Sequence, residues 1–509
     1  MRTGAEYQES LRDGRKLWVM GEGDIADVTT HPATAPVVDE YANWLDRHRD
    51  PEWRDLLLTP GGKPRAFEIP MTADDFIGLS NAIYAQSFIT GGNITHTPGY
   101  GALIALGVLD QVKTIGGEGC HVDTIEAYRN HLAETGTFLT LTGGASVLGD
   151  RFRDPSESLA LKVVRETDAG LIVNGRTGMH TSTPYANDVY VTTFGMEAHQ
   201  RALFVVAANS PGASIVARAP SARYDNKLSS PLSHRYDELD AQLWCDNVLV
   251  PWERVFAYKQ GLPPPEESKK RDLVFSWLVW HHQSTWLAKA DYTLGLTLAV
   301  VDSLGLKENP AITAQLIDLI IDCQTIRSCL TAANYEPVPT VAGYAIPNPL
   351  HMSSAMIYNL KTRQNITNIL RNIPGSSLVF RPTDTDLADP AMRDSLERGF
   401  GGGSYTALQR SALLNLVWDN VSSGLDGREA SFEWHANGGM TAWRTRVQRW
   451  FNRYNELANK AIKTLDMDMP EIDLDSVRNI SFFGPGSRSL GSRPPAPPAS
   501  PESPASLAR

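Results

Sequence analysis

Two adjacent histidines, His281 and His282, are residues whose type suggests metal chemistry. Imidazole nitrogens are common ligands of zinc, but a site needs further donors spaced so that all of them reach one ion. Successive residues of a helix point about 100° apart, and no carboxylate follows these histidines by three or four positions. The spacing therefore favours packing or capping over a metal site.

The four cysteines also form no ligand pattern. They stand at Cys120, Cys245, Cys323 and Cys329, and no two of them make a C-x-x-C pair. They are too few for a disulfide scaffold, and their spacing argues against a structural zinc or an iron–sulfur cluster. Four further histidines lie in no motif and are interpreted as structural: His121, His131, His180 and His199.

Three glycine-rich stretches resemble nucleotide-binding loops at first sight: 21–23, 116–119 and 399–403. A dinucleotide fingerprint needs a buried strand before the glycines and a helix after them, because the pyrophosphate sits at the N-terminus of that helix. None of the three stretches has this context, so each predicts a turn. The sequence also contains no P-loop, no H-E-x-x-H, no EF-hand loop and no G-x-S-x-G elbow.

The composition is that of a globular protein. Of 509 residues, 42% are apolar and 21% are charged, which suits neither a disordered chain nor a membrane bundle. The formal net charge of −11 argues against nucleic acid and anionic membranes as partners. The first 15 residues lack the apolar core of a secretory signal, and no stretch is apolar enough to span a membrane, so we expect a cytoplasmic location.

Hydrophobic periodicity divides the chain into three regions. Apolar residues recurring every three or four positions predict helices over 36–49, 73–90 and 122–134. Short β-branched or aromatic runs then predict strands over 170–175, 188–194, 202–207, 214–218 and 243–250. Helices return over 310–334, 406–423 and 443–465. This order lacks the alternation of a doubly wound sheet and indicates an α+β fold.

Three finer features accompany this pattern. The helix over 310–334 has a stripe predicted to face the core: Ile312, Leu316, Leu319, Ile320, Cys323, Ile326 and Leu330. The run 266–271 predicts a solvated linker, and the Pro/Ser-rich end from about residue 485 predicts a disordered extension. Composition and spacing by themselves lead no further than a globular protein of unknown task.

Four groups of residues, in order along the chain, carry a resemblance to a known family. They are 2–15 with 27–32, 166–175 followed by Thr181, 231–240 with 246–256, and Trp418-Asp419 with 424–433. Over about residues 2–465 the chain resembles the oxygenase component of 4-hydroxyphenylacetate 3-monooxygenase and its relatives. These are two-component flavin monooxygenases with an acyl-CoA dehydrogenase-like fold.

The resemblance implies an α+β, acyl-CoA dehydrogenase-like fold in four parts. Residues 1–150 would form a mostly helical N-terminal domain, and 151–270 a central β-barrel-like domain. Residues 271–470 would form a C-terminal helical bundle that builds a homotetramer, a dimer of dimers. Residues 471–509 would form an extension that includes the Pro/Ser-rich tail.

The same resemblance implies the activity. Reduced FAD, supplied by a separate NAD(P)H:flavin reductase, would react with O2 to give a C4a-hydroperoxyflavin that hydroxylates a small aromatic or phenolic substrate. The missing dinucleotide fingerprint agrees with this reading, because an oxygenase component need not hold NAD(P)H. The resemblance implies no metal.

The substrate site is implied by one motif, Arg-Ser-Pro-Asp-Tyr in the family. It corresponds here to His96-Thr97-Pro98-Gly99-Tyr100, which makes Tyr100 and His96 the catalytic candidates and Thr97, Pro98 and Gly99 substrate contacts. A family histidine falls on Thr142, or on Thr140 if a small gap is moved. Thr193 and Phe194 are implied to line the same pocket.

Nine residues fall where relatives hold the flavin: Leu148, Gly149, Asp150, Arg151, Thr181, Gly438, Gly439, Met440 and Thr441. The Thr181 hydroxyl would bond the isoalloxazine edge, and Arg151 would pair with the pyrophosphate. Simpler interpretations stay open. Thr181 also fits a polar turn, Arg151 a pair with Asp154, and 438–441 a helix cap.

Two differences from the family pattern, the loss of its arginine and of its histidine, affect which substrate we expect. Without the arginine and the histidine, a phenolate is held less firmly at neutral pH. We therefore expect a substrate other than 4-hydroxyphenylacetate: a natural-product or carrier-linked aromatic, an already electron-rich ring or a nitrogen centre. Gly99, Gly143 and Gly144 are expected to widen the pocket. The alternatives are a flavin-dependent dehydrogenase or dehydratase of the same fold, or a scaffold that only binds a ligand.

Overall fold

The structure, a computed structural model, describes residues 1–97, 99–143, 149, 152, 154, 157–193, 201–221, 227–259, 273–435 and 439–479. Its N-terminal part is mainly helical, with α1 (Gly4–Ser10), α2 (Ala35–Asp46), α3 (Pro51–Leu57), α4 (Ala73–Ile89), α5 (Tyr100–Ile115) and α6 (Val122–Thr135). Thr72 and Asp75 form a reciprocal capping pair that fixes the start of α4. Strands β1 (Leu17–Val19) and β2 (Gly23–Asp24) lie between α1 and α2.

Two β-sheets occupy the middle of the chain. The first has the order β2-β1-β9-β10-β5-β4, built from β4 (Lys162–Thr167), β5 (Gly170–Arg176), β9 (Ala213–Ala217) and β10 (Asp240–Pro251) together with β1 and β2. Strand β6 (His180–Thr181) pairs with β10. The second has the order β11-β8-β7-β3, from β3 (Leu139–Gly143), β7 (Asp188–Thr192), β8 (Ala202–Ala207) and β11 (Val255–Tyr258). Their apolar faces share one core with α1 and α2.

The C-terminal part is a helical bundle. It contains α8 (Leu273–Ser303), α9 (Pro310–Tyr335), α10 (Pro349–Asn372), α11 (Asp384–Ala388), α12 (Arg393–Phe400), α13 (Ala407–Val421), α14 (Gly424–His435), α15 (Gly439–Trp450) and α16 (Tyr454–Ile462), while the short α7 (Ser233–Tyr236) precedes β10. A two-stranded sheet, β12 (Val338–Pro339) with β13 (Ala345–Ile346), separates α9 from α10. The long helix α8 packs on α4 and α5 and so joins the bundle to the N-terminal helices.

Most of the predicted elements are confirmed. The helices predicted over 36–49, 73–90, 122–134, 310–334 and 406–423 correspond to α2, α4, α6, α9 and α13, and the five predicted strands correspond to β5, β7, β8, β9 and β10. The glycine-rich stretches 21–23 and 116–119 are turns, and 399–403 starts in the last residues of α12 and continues as a turn, with positive φ at Gly21, Gly116 and Gly402 among others. The linker 266–271 and the end of the chain from residue 480 lie outside the described residues.

Two predictions about the bundle are wrong. The helix predicted over 443–465 is interrupted at 451–453, between α15 and α16, and the side chains of Asn455 and Asn459 in α16 hydrogen-bond the returning backbone at Ile472 and Leu474. Ile320 does not face the core and is 41% exposed. The buried side of α9 is narrower than the predicted stripe.

The four cysteines are free thiols. Burial raises the pKa of Cys245 and, with nearby Asp291 and Asp322, that of Cys323, each to about 12. Burial also raises the pKa of Cys120 and Cys329. No helix in the described part of the chain combines the length and the apolar character needed to cross a membrane.

Candidate active site

The segment predicted to contact substrate leads directly into helix α5. His96 and Thr97 are buried, and Tyr100 is the first residue of the helix. A side chain at Gly101 would place its Cβ 2.6 Å from the Leu139 carbonyl oxygen, so only glycine allows α5 to lie this close to β3. This close approach holds Tyr100 at a fixed place between the sheets and the bundle.

Aromatic rings from three elements gather around Tyr100. Its ring centroid lies 4.0 Å from that of His96, 5.0 Å from His281 and 5.5 Å from His282, and the last pair is stacked. Phe432 of α14 meets His282 at 5.9 Å. The predicted residues His96 and Tyr100 are therefore brought together with two histidines of α8. We call these four residues, His96, Tyr100, His281 and His282, the histidine–tyrosine cluster.

The two α8 histidines belong to the site, which the sequence analysis missed. His281 Nε2 and Thr97 Oγ1 share a hydrogen bond of 2.7 Å, so α8 fixes the predicted substrate segment directly. The available signal was the polar run 281–285, His-His-Gln-Ser-Thr, in an otherwise apolar helix. All five of these residues are at most 3% exposed. A buried polar run of this kind requires partners, and the cluster supplies some of them.

A buried carboxylate, Glu238, lies behind the cluster. It accepts hydrogen bonds from the backbone and the hydroxyl of Thr95, each 2.8 Å, and from the hydroxyl of Tyr41 at 2.5 Å. Ser182 also donates to it, and His96 Nδ1 lies 3.4 Å from its Oε1. Glu238 thus ties β10 to α2, to the 180–183 turn and to the segment before α5. No role for Glu238 was predicted from the sequence.

The pKa shifts show which buried groups of the site are charged at pH 7 and which are neutral. Burial raises the pKa of Glu238, but His96, Arg428 and Ser182 outweigh it and lower that pKa to about 2. Burial, with His96 as a close neighbour, lowers the pKa of His282 to about 3 and of His180 to about 4. Burial, helped by the other histidines, also holds the pKa of His281 well below its ordinary value. These three imidazoles are therefore neutral at pH 7.

Thr181 lies where the first sheet meets the bundle. Its hydroxyl donates to Asp240 Oδ1 at 2.8 Å, and Arg428 of α14 reaches the Thr181 oxygen at 3.3 Å and both Asp240 oxygens at 2.5 and 2.8 Å. Arg428 also pairs with Glu429, which pairs in turn with Lys289 of α8 at 2.8 Å. Burial opposes the charge on Asp240, but the two arginines Arg428 and Arg218 hold its pKa well below the usual range.

The threonines of β3 face the same junction. Thr140 donates to the Thr181 carbonyl at 2.9 Å, and Thr142, two residues on, donates to the Gly178 carbonyl at 3.3 Å. Both are buried. Thr193 is also buried, and its hydroxyl accepts a hydrogen bond of 2.7 Å from the backbone N–H of Ala202. In the described part of the structure, the Thr193 hydroxyl therefore contacts the start of β8.

The expectation that Gly99 widens the pocket is wrong. A Cβ on Gly99 would lie 2.7 Å from the Ala66 Cβ, so the space is already filled by the segment before α4. A small cavity of about 10 Å³ remains beside Gly99 and Thr97, lined also by Gln86 and His48. It holds one water at most. Gly143 is half-buried at the end of β3, and Gly144 lies outside the described residues.

Several of the implied flavin and substrate contacts cannot be placed. Pro98, Leu148, Asp150, Arg151, Phe194 and Gly438 lie outside the described residues, and Gly149 is described as half-buried. Gly439 opens α15 with φ of +65°, Met440 packs on the bundle core and Thr441 is exposed. Within the part of the chain that is described, no contact joins these last three residues to the histidine–tyrosine cluster.

The residues present at the junction fit a flavin. The Thr181 hydroxyl already donates to Asp240, and the contacts of Arg428 leave one of its five N–H groups for an acceptor such as a ring carbonyl or nitrogen. Phe432 and His282 place aromatic rings beside them, with ring centroids 5.9 Å apart. His281 Nδ1 is buried and has no hydrogen-bond partner among the described residues. A planar heteroaromatic group with several acceptors matches this donor set.

Comparison with solved structures defines the class of fold. The oxygenase component of 4-hydroxyphenylacetate 3-monooxygenase, solved in complex with FAD, superposes with a TM-score of 0.82 at 24% identity, covering 91% of this chain and 98% of that one. An archaeal 4-hydroxybutyryl-CoA dehydratase gives 0.78 at 16% identity, covering 93% and 96%. The fold is therefore the one that these two kinds of enzyme share.

Sequence comparison then assigns the family. The model of the 4-hydroxyphenylacetate 3-hydroxylase N terminal region matches residues 3–257, and the model of the C terminal region matches residues 274–465. The chain belongs to the 4-hydroxyphenylacetate 3-hydroxylase family.

Curated relatives span nearly the whole chain. The oxygenase component of 4-nitrophenol 4-monooxygenase/4-nitrocatechol 2-monooxygenase from Rhodococcus opacus is 28% identical, over 85% of each chain. That of 4-nitrophenol 2-monooxygenase from a Rhodococcus species is 29% identical, over 93% of each. A Streptomyces globisporus monooxygenase, named for a chlorinated aminohydroxyphenylpropanoyl group on a peptidyl carrier protein, is 28% identical, over 86% of this chain and 85% of its own.

Proposed function

We propose that the protein is the oxygenase component of a two-component, reduced-FAD-dependent monooxygenase that hydroxylates a phenolic small molecule. The observation that carries the proposal is the histidine–tyrosine cluster, buried where the sheets meet the bundle in a chain whose two halves both belong to the family. Such a component depends on a separate flavin reductase. Its named relatives act on phenols.

Tyr100 and His96 are the proposed catalytic residues. Burial and the charge of Glu238 raise the pKa of Tyr100 well above its ordinary value, so its hydroxyl stays a hydrogen-bond donor. The hydroxyl of Tyr100 and the imidazole of His96, carried on rings whose centroids lie 4.0 Å apart, suit a phenolic oxygen, which accepts one hydrogen bond and gives up one proton. Thr97, Pro98, Gly99, Thr142, Thr193 and Phe194 remain the proposed substrate contacts.

The flavin is proposed to lie at the junction between the sheets and the bundle. Thr181 and Arg428 would hold its edge there, and Leu148, Gly149, Asp150, Arg151 and 438–441 remain proposed contacts from the family motif. Reduced FAD, when bound, supplies the electrons that activate O2. The protein's part is to hold the phenol beside the flavin, to keep it oriented and to exclude water.

The proposed substrate is a phenol other than 4-hydroxyphenylacetate. His96 stands where the family motif has arginine, and the neutral Thr142 or Thr140 stands where it has histidine. A nitrophenol, or a phenol carried on a protein, agrees with the names of the relatives. We also propose, from the resemblance, a cytoplasmic homotetramer with domains at 1–150, 151–270 and 271–470 and an extension at 471–509.

The alternative of a dehydratase finds less support. Dehydratase relatives with an iron–sulfur cluster need several cysteine ligands together. Cys120 precedes α6 and Cys245 lies on β10, whereas Cys323 and Cys329 share α9 and all four are free thiols. In the ranges that the structure describes, no three His, Cys, Asp or Glu side chains are grouped as a metal site.

The test is turnover with a supplied reductase. The full chain is mixed with FAD, NADH, any NADH:FAD reductase and 4-nitrophenol in air, and products are analysed by mass. We expect a product one oxygen atom heavier than the phenol, formed only when the chain is present. Consumption of NADH with hydrogen peroxide as the sole product, across a panel of phenols, would contradict the proposal.

A further inference from the structure

The hydrogen bonds around His96 define which of its nitrogens carries a proton. Thr95 Oγ1 donates to Glu238 Oε2 at 2.8 Å, so the hydroxyl hydrogen of Thr95 is already used. The same oxygen lies 2.9 Å from His96 Nδ1 and can act only as the acceptor in that contact. Glu238 Oε1, a second acceptor, lies 3.4 Å from Nδ1. Nδ1 therefore bears the hydrogen, and a neutral His96 has its lone pair on Nε2.

Nε2 is then available to a ligand. Among the described residues, no group forms a hydrogen bond with this nitrogen, whereas Nδ1 is held from behind by Thr95 and Glu238. The ring itself is fixed by the Tyr100 ring, 4.0 Å away and nearly perpendicular. An imidazole with a carboxylate behind one nitrogen and an open second nitrogen is the arrangement of a general base.

We propose that Glu238, through Thr95, positions His96 as the general base that removes the phenol proton of the substrate. The inference rests on the proposed function and assigns two positioning residues to it. In the step, the O–H bond of the phenol breaks, its proton forms a bond with Nε2, and the electron pair stays on the phenolate oxygen. The imidazolium that results faces the Glu238 carboxylate, which offsets its charge.

The surroundings of His96 favour this assignment. The groups that face it are Tyr100 from α5, His281 and His282 from α8, His180 from β6 and Glu238 from β10. The three other histidines are neutral and tyrosine is protonated, so Glu238 is the anion that opposes the new positive charge. An arginine in place of His96 is a permanent cation and could not accept a proton.

The first test measures directly which nitrogen of His96 carries the proton. The full chain, without flavin or substrate, is labelled with 15N-histidine, and the His96 signals among the 12 histidines are identified by their loss in His96→Gln. We expect the Nδ1–H tautomer in the wild type, and a mixture with the Nε2–H tautomer in Glu238→Gln. An Nε2–H tautomer in the wild type, or a permanently charged ring, would overturn the proposal whatever the enzyme's activity.

The second test separates a base from a structural anchor. With 4-methylphenol, a weak acid, Glu238→Gln should lower kcat/KM about 100-fold at a pH where 4-nitrophenol is already a phenolate. With 4-nitrophenol the loss should be threefold or less, as an ionised substrate needs no base. Thr95→Val keeps the backbone bond to Glu238 and removes the bridging hydroxyl, so it should show the same difference between substrates. Equal losses for both phenols would overturn the proposal.

Glu40→Gln is the matched control. Glu40, on α2, is also buried, but it pairs with Arg47 just after that helix, outside the cluster. It should change neither the tautomer of His96 nor the ratio between the two phenols. If the wild type hydroxylates no phenol at all, the proposed function fails, and the 15N measurement still decides whether Glu238 and Thr95 set the proton on His96.

Discussion

Tyr100 is a buried side chain whose hydroxyl has no hydrogen-bond partner among the described residues. Its ring is enclosed by His96, His281 and His282, and its pKa is raised by burial and by Glu238. In the described part of the structure, no residue forms a hydrogen bond with its hydroxyl. The hydroxyl is therefore a donor that folding leaves unused, and substrate is the partner that the proposed function provides.

Tyr100→Phe should lower kcat/KM by about 10- to 100-fold, because a hydrogen bond to a charged phenolate is worth about 1.5–3 kcal/mol. The melting temperature should stay close to that of the wild type, since the substitution removes no hydrogen bond within the protein. Steady-state turnover and thermal unfolding measure the two quantities. Wild-type turnover would mean that the substrate lies elsewhere.

His96→Ala should also reduce turnover while the chain still folds. The imidazole contributes the proton acceptor and one wall of the site, so both kcat and binding should suffer, by about 100-fold or more in kcat/KM. His131→Ala on α6 is the matched control, because His131 is exposed and far from the cluster. Equal turnover in the two variants would contradict the role of His96.

At the scale of elements, α5 depends on contacts that exclude even one methyl group. Gly99→Ala should destabilise the fold by about 1–3 kcal/mol, because the new Cβ would lie 2.7 Å from that of Ala66. The double variant Ala66→Gly/Gly99→Ala removes the clash and should recover most of the loss. Urea unfolding of the two single variants and the double variant measures the coupling. Additive losses would show that the two residues do not meet.

Arg428 connects α14 to β10, and the contact between these two elements should depend on it. Arg428→Met leaves Asp240 and Glu429 buried with one cation fewer, so we expect a loss of about 3–5 kcal/mol in the free energy of unfolding. The measurement is urea unfolding of the flavin-free chain. Adding Asp240→Asn removes the stranded charge and should restore part of the loss. A neutral effect of Arg428→Met would mean that α14 is held by packing alone.

Elements were predictable where one face of the segment is buried and the other is not. Strand β8 was found at its observed bounds, and α4 and α6 to within a residue, because their periodicity or composition is strong. Helix α8 was not predicted, since its apolar residues do not keep to one side and its polar middle, 281–285, is buried. The periodicity does not show the break before α16, nor the hydrogen bonds by which side chains of α16 hold a segment 13 to 19 residues away.

The site was predictable only in part, for a related reason. His96 and Tyr100 lie within one short motif and were found by resemblance. Glu238 and the pair His281 and His282 reach the same place from 142 and 184 residues further along the chain. Their types alone indicated packing, and only the fold shows what they pack against. The width of the pocket at Gly99 was misjudged because Ala66, which fills it, has no sequence signature.

The whole molecule should lose stability in acid in two stages. The pKa values of His180 and His282 are lowered to about 4 and 3 in the fold, and that of His281 is lowered too, so the unfolded chain binds protons that the folded chain does not. The contribution of these histidines to the free energy of unfolding should therefore be full above pH 6.5. Below pH 6.5 the free energy of unfolding should fall by about 1.4 kcal/mol per histidine per pH unit. Below about pH 4.5, Glu238 adds its own loss down to about pH 2.

Urea unfolding of the flavin-free chain at several pH values measures this profile. His282→Gln should lessen the slope between pH 6.5 and 4, and Glu238→Gln should lessen it only below pH 4.5. A free energy of unfolding that does not change between pH 7 and 5 would contradict the assignment of neutral, buried histidines.

The protonated state of the thiols has a practical consequence for an enzyme that handles dioxygen. Flavin oxygenases release hydrogen peroxide when the reaction is uncoupled, and peroxide attacks thiolates rather than thiols. With the pKa of every cysteine raised, the chain offers peroxide few targets while it remains folded. Cysteine sulfenic acids should thus accumulate only on molecules that have partly or fully unfolded. The time at which they first appear would show when the native state is first lost during turnover.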